Sequence, residues 1–165
     1  MTLEKVEDVY PKLKKRLNEC GVALVILPAL KNSNINGVVK WLDSEMVMMA
    51  LNTKEVDNDR FWFSFFHELK HVLQKTKRKV LVGSDNNIDL SYLYEYDADN
   101  FAKETLVPTS LLDNLTNYDE KSIVDFSTIN NVHPGIVVAR LQQDGKIKTN
   151  QFNHLKEKVI INIQK

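Results

Sequence analysis

The sequence predicts an α+β domain, with a small, mainly antiparallel three-stranded sheet flanking a helical bundle. Three observations predict it. Short apolar runs bounded by turn residues cluster between residues 22 and 51, as strands do. Apolar residues at three- and four-residue steps occupy the chain before and after that region, as the buried stripes of helices do. No repeat, low-complexity stretch or linker interrupts the 165 residues, so the whole chain, 1–165, reads as one domain.

Leu3, Val6, Tyr10, Leu13 and Leu17 form the first stripe, with Gly21 as its stop. Val22-Ala23-Leu24-Val25-Ile26-Leu27, ending at Pro28, predicts a buried strand. Beyond the turn-rich residues 32–37, Val38–Leu42 and Met46–Leu51 predict two more strands. Asp43-Ser44-Glu45 is so short a link that these two should pair as an antiparallel hairpin. Asn58 or Asp59 is placed to cap the next helix, which carries the aromatic run Phe61–Phe66 and extends to about Lys75. Lys75, Lys77, Arg78 and Lys79 then lie at its C-terminal end, where cations suit the helix dipole. Residues 80–90 predict a loop with a short strand at Val80–Val82. Helical spacing returns from Leu90 to Leu106, and Pro108 opens a short helix through Leu115. Helices at Ile123–Ile129 and Ile136–Leu141 and a last helix or strand after Asn150 complete the chain.

Composition narrows the function classes. Basic and acidic residues number 22 each, so no global field draws the chain to nucleic acid or to a membrane surface. No apolar run approaches the length of a membrane span. The single cysteine, Cys20, excludes an intrachain disulfide and reads as a small buried residue. Without disulfides or an apolar N-terminal leader, a cytoplasmic location is the simplest expectation.

The chemistry concentrates in His67-Glu68-Leu69-Lys70-His71. Residues four apart share a helix face. His67 and His71 therefore present two imidazoles side by side, with the Glu68 carboxylate next to them, which are the parts of a zinc hydrolase. A catalytic zinc site has three protein ligands and one open position. His133, in a His-Pro-Gly turn, and His154, near the C-terminus, lack ligand spacing. The helix at Glu95-Tyr96-Asp97-Ala98-Asp99 offers three carboxylates instead. Glu95 and Asp99 share a face, whereas Asp97 is rotated from Glu95 by roughly 200°. Glu95 has the longer reach and is the expected third ligand, with Asp97 the runner-up. Asp99 is then placed to accept a hydrogen bond from the non-ligating N–H of His67 or His71, which would orient that ring. Glu68 is the expected proton carrier, from water to the leaving amine. Tyr92, Tyr94, Tyr96 and His133 are candidate donors to an oxyanion. Zinc is the expected metal, and the same His and carboxylate set also suits manganese.

These segments resemble the ImmA/IrrE metallo-endopeptidases. The resemblance is carried by Phe65-Phe66-His67-Glu68-Leu69-Lys70-His71 and by Glu95-Tyr96-Asp97-Ala98-Asp99-Asn100-Phe101-Ala102 through Pro108. It extends to Trp41-Leu42, Phe61-Trp62-Phe63 and His133-Pro134-Gly135-Ile136 through Gln142, roughly residues 20 to 160. It implies an enzyme that cleaves or antagonises a regulatory protein, such as a helix-turn-helix repressor or a toxin. The antitoxin-type relatives act chiefly by binding, so the same resemblance also admits a non-catalytic metal-binding module. Lys70 stands where the family usually has Gly, and its side chain is expected to narrow the cleft or alter substrate preference. Asp97 replaces the usual second Glu, which favours Glu95 as ligand. The helix-turn-helix half of the antitoxin-type members is not among these 165 residues, which therefore read either as a standalone protein or as an excised domain.

Other features have plainer readings. Phe61–Phe66 are expected in the core. Met46, Met48 and Met49 read equally as a half-buried strand or as an edge strand open to a peptide. Residues 123–141 have helix-turn-helix spacing, but Ile136-Val137-Val138-Ala139 is too apolar to read a DNA groove.

Overall fold

The computed structural model describes residues 2–27, 36–53, 56–74 and 90–161. Helix α1 (Val6–Asn18) precedes strand β1 (Val22–Leu27), and Gly21 makes the turn between them at a φ of +78°, which glycine adopts without strain. Strands β2 (Gly37–Trp41) and β3 (Val47–Asn52) follow, then helices α2 (Asn58–Leu73), α3 (Leu90–Leu106), α4 (Thr109–Leu112), α5 (Glu120–Ile129) and α6 (Pro134–Gln143). A 3-10 turn at Asn153–Leu155 and a tail bridged to Asp57 through Lys158 stand where a last helix or strand was expected. The predicted strand at Val80–Val82 and the basic cluster Lys75–Lys79 lie outside the described residues.

The sheet is mixed rather than mainly antiparallel. Its order is β1-β3-β2, with β3 parallel to β1 and antiparallel to β2. The hairpin of β2 and β3 is the expected one, but β3 also inserts beside β1. Burial explains why: Val47, Met49, Ala50 and Leu51 of β3 are all buried, whereas β1 alternates buried and half-buried residues. A strand apolar on both faces belongs in the middle of a sheet, where no edge reaches water. The methionines of β3 are therefore not an edge open to a peptide. Met49 pairs with Leu24 on one side and Val39 on the other, and the strand that flanks β3 on the side of α2 is β2.

One buried cluster takes side chains from α1, the sheet, α2 and α6 through to Val159 of the tail. Phe61, Trp62 and Phe65 are its aromatic centre, as the run of aromatics suggested. Trp62 packs edge-on to both Phe61 and Phe65, at centroid distances of 5.4 and 5.8 Å, a favoured aromatic geometry. Ile136, Val137 and Val138 are buried as well, so the second helix of the apparent helix-turn-helix is packing surface. Cys20, by contrast, is exposed.

The N-terminus of α2 differs from expectation. Asp57 is the capping residue, and Asn58 and Asp59 are buried instead. Asn58 accepts a hydrogen bond from the backbone N–H of Glu157, and Asp59 pairs with Lys156 at 3.0 Å. The tail thus straps the start of α2. Close by, on the same cavity as Asp59, buried Arg140 of α6 donates to the carbonyls of Lys103 and Val107 and to Glu104, Thr109 and Asp144. The Lys103 carbonyl lies in the last turn of α3 and also accepts from the Val107 N–H, and the Val107 carbonyl lies just beyond the helix. Arg140 therefore anchors α3 at its C-terminus, and the hydrogen bonds of Glu104 to Thr109, with the guanidinium beside it, hold that carboxyl below its usual range.

Candidate metal centre

α2 and α3 pack along each other in opposite directions, His71 opposite Glu95 and His67 opposite Asp99. Both imidazoles are largely shielded, with side chains 17% and 13% exposed for His67 and His71, while Glu95 and Asp99 on α3 are half-exposed. Helical periodicity explains the pairing. One turn separates the two imidazoles on α2 and one turn separates the two carboxylates on α3.

Three donor atoms converge. Nε2 of His67 lies 3.1 Å from Nε2 of His71 and 3.2 Å from Oε2 of Glu95, and Nε2 of His71 lies 3.5 Å from Oε1 of Glu95. Nδ1 of His67 donates to Oδ1 of Asp99 at 2.8 Å. An ionised carboxylate can only accept, so this bond places the His67 proton on Nδ1 and leaves a lone pair on Nε2, facing the other two groups. A lone pair, a second imidazole nitrogen and a carboxylate in so small a space attract a cation. The spacing fits one: tetrahedral zinc with bonds of about 2.0–2.1 Å holds its donors about 3.3 Å apart. These side chains meet as a group with donor atoms within 4.8 Å of one another, and they could hold a divalent metal ion.

Asp97 is directed elsewhere. It accepts from Lys70 at 3.0 Å and from Gln74 at 2.8 Å, and these hydrogen bonds, Lys70 first, keep its carboxyl below the usual range. Lys70 also lies 5.4 Å from the centroid of the Phe101 ring, within cation–π range. Its side chain is thus drawn onto α3, in place of the expected intrusion into the cleft.

Glu68, one residue along α2, is buried although it is a carboxylate. Its side chain packs on the start of β2. A Cβ added at Gly37 would lie 2.5 Å from Cγ of Glu68 and 2.7 Å from its Oε1. Gly37 therefore lets the edge strand approach this carboxylate more closely than any other residue could. The sequence shows Gly37 only as the end of a turn-rich segment. A glycine opening a strand was the available signal of close approach.

Of the remaining candidates, His133 caps α6, accepting from the N–H of Gly135, and lies 3.5 Å from Glu157. Burial pushes its imidazole below the usual pKa, against the pull of Glu157. Gly135, two residues along, lies against Asn58, whose place at the start of α2 is roughly 13 Å along the helix from His67. It is thus distant from the converging donors. His154 pairs with Glu120 at 3.2 Å. Tyr92, Tyr94 and Tyr96 are exposed around Glu95, and Tyr92 stacks on Tyr96.

The family model for the IrrE N-terminal-like domain, Peptidase_M78, matches residues 21–154. The chain belongs to this family. The match spans β1 through the 3-10 turn and so includes both motif helices and the Arg140 anchor. A Peptidase_M78 domain has a metallopeptidase-like fold, in keeping with the donor cluster of α2 and α3. No curated protein and no solved structure matches the chain. No described helix is long and apolar enough to cross a membrane.

Proposed function

We propose that this Peptidase_M78 chain is a single-domain zinc-dependent endopeptidase acting on a regulatory protein such as a helix-turn-helix repressor. The observation that carries the reading is the convergence of His67, His71 and Glu95 at zinc-like spacing, with Glu68 on the adjoining helix position. In this reading His67, His71 and Glu95 hold the metal, which supplies Lewis acidity, lowering the pKa of a water to about 7 and polarising the scissile carbonyl. Glu68 accepts the proton of the attacking water and delivers it to the leaving amine. Its burial between α2 and Gly37 holds the carboxylate in one place, so little ordering is required during the reaction. Asp99 fixes the His67 tautomer and ring. Among the described residues no strand pairs with the outer side of β2, next to Gly37, and that side is available to an extended substrate by strand addition. The regulatory target follows from the family resemblance, and the balanced charge of the chain agrees with a protein substrate rather than DNA.

Glu68→Gln tests the reading. Metal content, measured by elemental analysis, is expected to stay at the wild-type level, while cleavage of a fluorogenic peptide library falls by about 10²–10⁴-fold. If Glu68→Gln leaves target neutralisation intact with metal still bound, the protein is a metal-binding regulatory module rather than a protease. Asp99→Asn is expected to weaken zinc affinity by about 10–100-fold, because an amide in place of the carboxylate no longer enforces the His67 tautomer. Competition with a zinc-chelating dye measures it, and an unchanged affinity would remove Asp99 from the site.

A further inference from the structure

β1 is the edge of the sheet far from the metal centre, since the order is β1-β3-β2 and Glu68 packs on β2. Its residues, Val22–Leu27, include no charge, proline or glycine, the usual guards of an edge strand that stays single. Among the described residues no strand pairs with its outer side. That side opens on a groove of about 730 Å³ between β1, one face of α1, and Ile160 and Ile161 of the tail. The backbone of β1 is directed there. The Val47 N–H donates to the Gly21 carbonyl at 3.0 Å, and residues of a parallel strand alternate in the side their backbone groups face. Ala23 and Val25 therefore bond to β3, and the N–H and C=O of Leu24 and Ile26 face the groove. α1 adds two opposite charges, Glu7 and Lys14, about 10.5 Å apart on its groove face. The ion pairs of α1 are Lys12 with Glu4 and Arg16 with Glu19, and among the described residues Glu7 and Lys14 have none.

We propose that a second copy of this chain occupies the groove, β1 pairing antiparallel with β1 in a twofold dimer. Charge and register together select a second copy over any other strand. A twofold axis reverses direction, so it can set Glu7 of each copy against the partner's Lys14 and satisfy both charges twice. The axis then passes midway between them, level with Tyr10 and Pro11. α1 runs back along β1 from the Gly21 turn. That level is about 11 Å from Asn18 along the helix, and about 11 Å along β1 from Val22 lies Val25. An axis through Val25 sets Leu24 opposite the partner's Ile26. These are the residues whose backbone groups are open, and each such pair exchanges two hydrogen bonds. The charges of α1 and the backbone of β1 thus call for the same axis. An axis through Leu24 would also align open groups, but it would bring Lys14 against the partner's Lys14. The contact is the same patch on both copies, so it closes at two. β2, on which Glu68 packs, is the opposite edge, and each copy keeps its own cleft.

Sedimentation equilibrium of the full chain, from about 1 to 100 μM, tests the contact. The wild-type mass is expected to rise toward twice the 19.1 kDa of one chain. Lys14→Glu, and separately Glu7→Lys, turns both ion pairs into like-charge contacts and should raise the dimer Kd about tenfold. The double variant Glu7→Lys/Lys14→Glu remakes the pairs in the opposite sense and should return the Kd to within about twofold of wild type. Only a contact in which position 7 meets position 14 across a twofold axis predicts that rescue. Unchanged circular dichroism shows that the variants are folded. A monomer at every concentration overturns the proposal. So does a dimer that ignores both charge reversals, or one that the double variant fails to restore. Removing residues 162–165 examines the other candidate occupant. If the shortened chain dimerises and the full chain does not, the chain's own C-terminus covers the β1 edge and the second copy is excluded.

Discussion

Glu95→Ala is expected to lower zinc affinity by more than about 100-fold, beyond the range for losing an orienting partner, whereas Asp97→Ala leaves it within a few-fold of wild type. The two carboxylates are two residues apart on one helix, so the contrast isolates direction rather than local charge. Glu95 reaches both imidazoles, at 3.2 and 3.5 Å. Asp97 is turned away by roughly 200° of helical rotation and is held by Lys70 and Gln74. Removing Glu95 leaves two neutral nitrogens, which bind zinc far more weakly than two nitrogens and a carboxylate. Removing Asp97 releases Lys70, an exposed-side interaction that contributes little to the helix pairing. Zinc content after exhaustive dialysis, followed by chelator competition on the protein that retains metal, measures both variants. If Asp97→Ala loses the metal and Glu95→Ala keeps it, the ligand is Asp97 and the helix register described here is wrong for the loaded protein.

Much of this site was legible in the residues because it is built from local periodicity. His67 and His71 share a face by spacing alone, and so do Glu95 and Asp99. Only one long-range fact was needed, that the two helices pack against each other, and the resemblance to a known family implied it. The hairpin of β2 and β3 was legible for the same reason, since a three-residue link leaves the chain little choice. What was not legible depends on contacts between distant segments. The parallel pairing of β1 with β3 arises because the central strand must be apolar on both faces, and the runs at 22–27 and 47–52 look alike until their neighbours are known. Asn58 and Asp59 read as caps, but the tail at Lys156 and Glu157 claims both side chains. Arg140 looks like a surface residue of a short helix, and it is buried because its guanidinium finds partners at Lys103, Glu104, Val107 and Thr109, more than thirty residues away in sequence. Lys70 read as an obstruction because its partner Asp97 is distant in sequence.

Gly37→Ala is expected to reduce kcat for peptide cleavage by about 10²-fold without changing metal content, although Gly37 is neither a ligand nor an acid or base. The added methyl would stand 2.5 Å from Cγ and 2.9 Å from Cδ of Glu68, distances that no pair of unbonded carbons tolerates. One of the two must yield. Gly37 is held by its pairing with Leu51 in the sheet, so the Glu68 side chain is the softer partner and moves. A displacement of about 1 Å is enough to cost 10²-fold in rate when the displaced group is a positioned proton carrier. The backbone at Gly37 shows no positive φ among the described residues, so alanine brings no conformational strain of its own. The thermal midpoint should therefore change far less than the rate. KM separates this effect from damage to substrate docking. A fall in kcat at constant KM means that Glu68 has been moved, because the docking edge of β2 is intact. A rise in KM at constant kcat would instead make Gly37 a contact for the substrate strand, and wild-type kinetics would show that the position of Glu68 is not what limits the reaction. Loss of zinc from Gly37→Ala would contradict the assignment of Glu68 to the proton rather than to the metal.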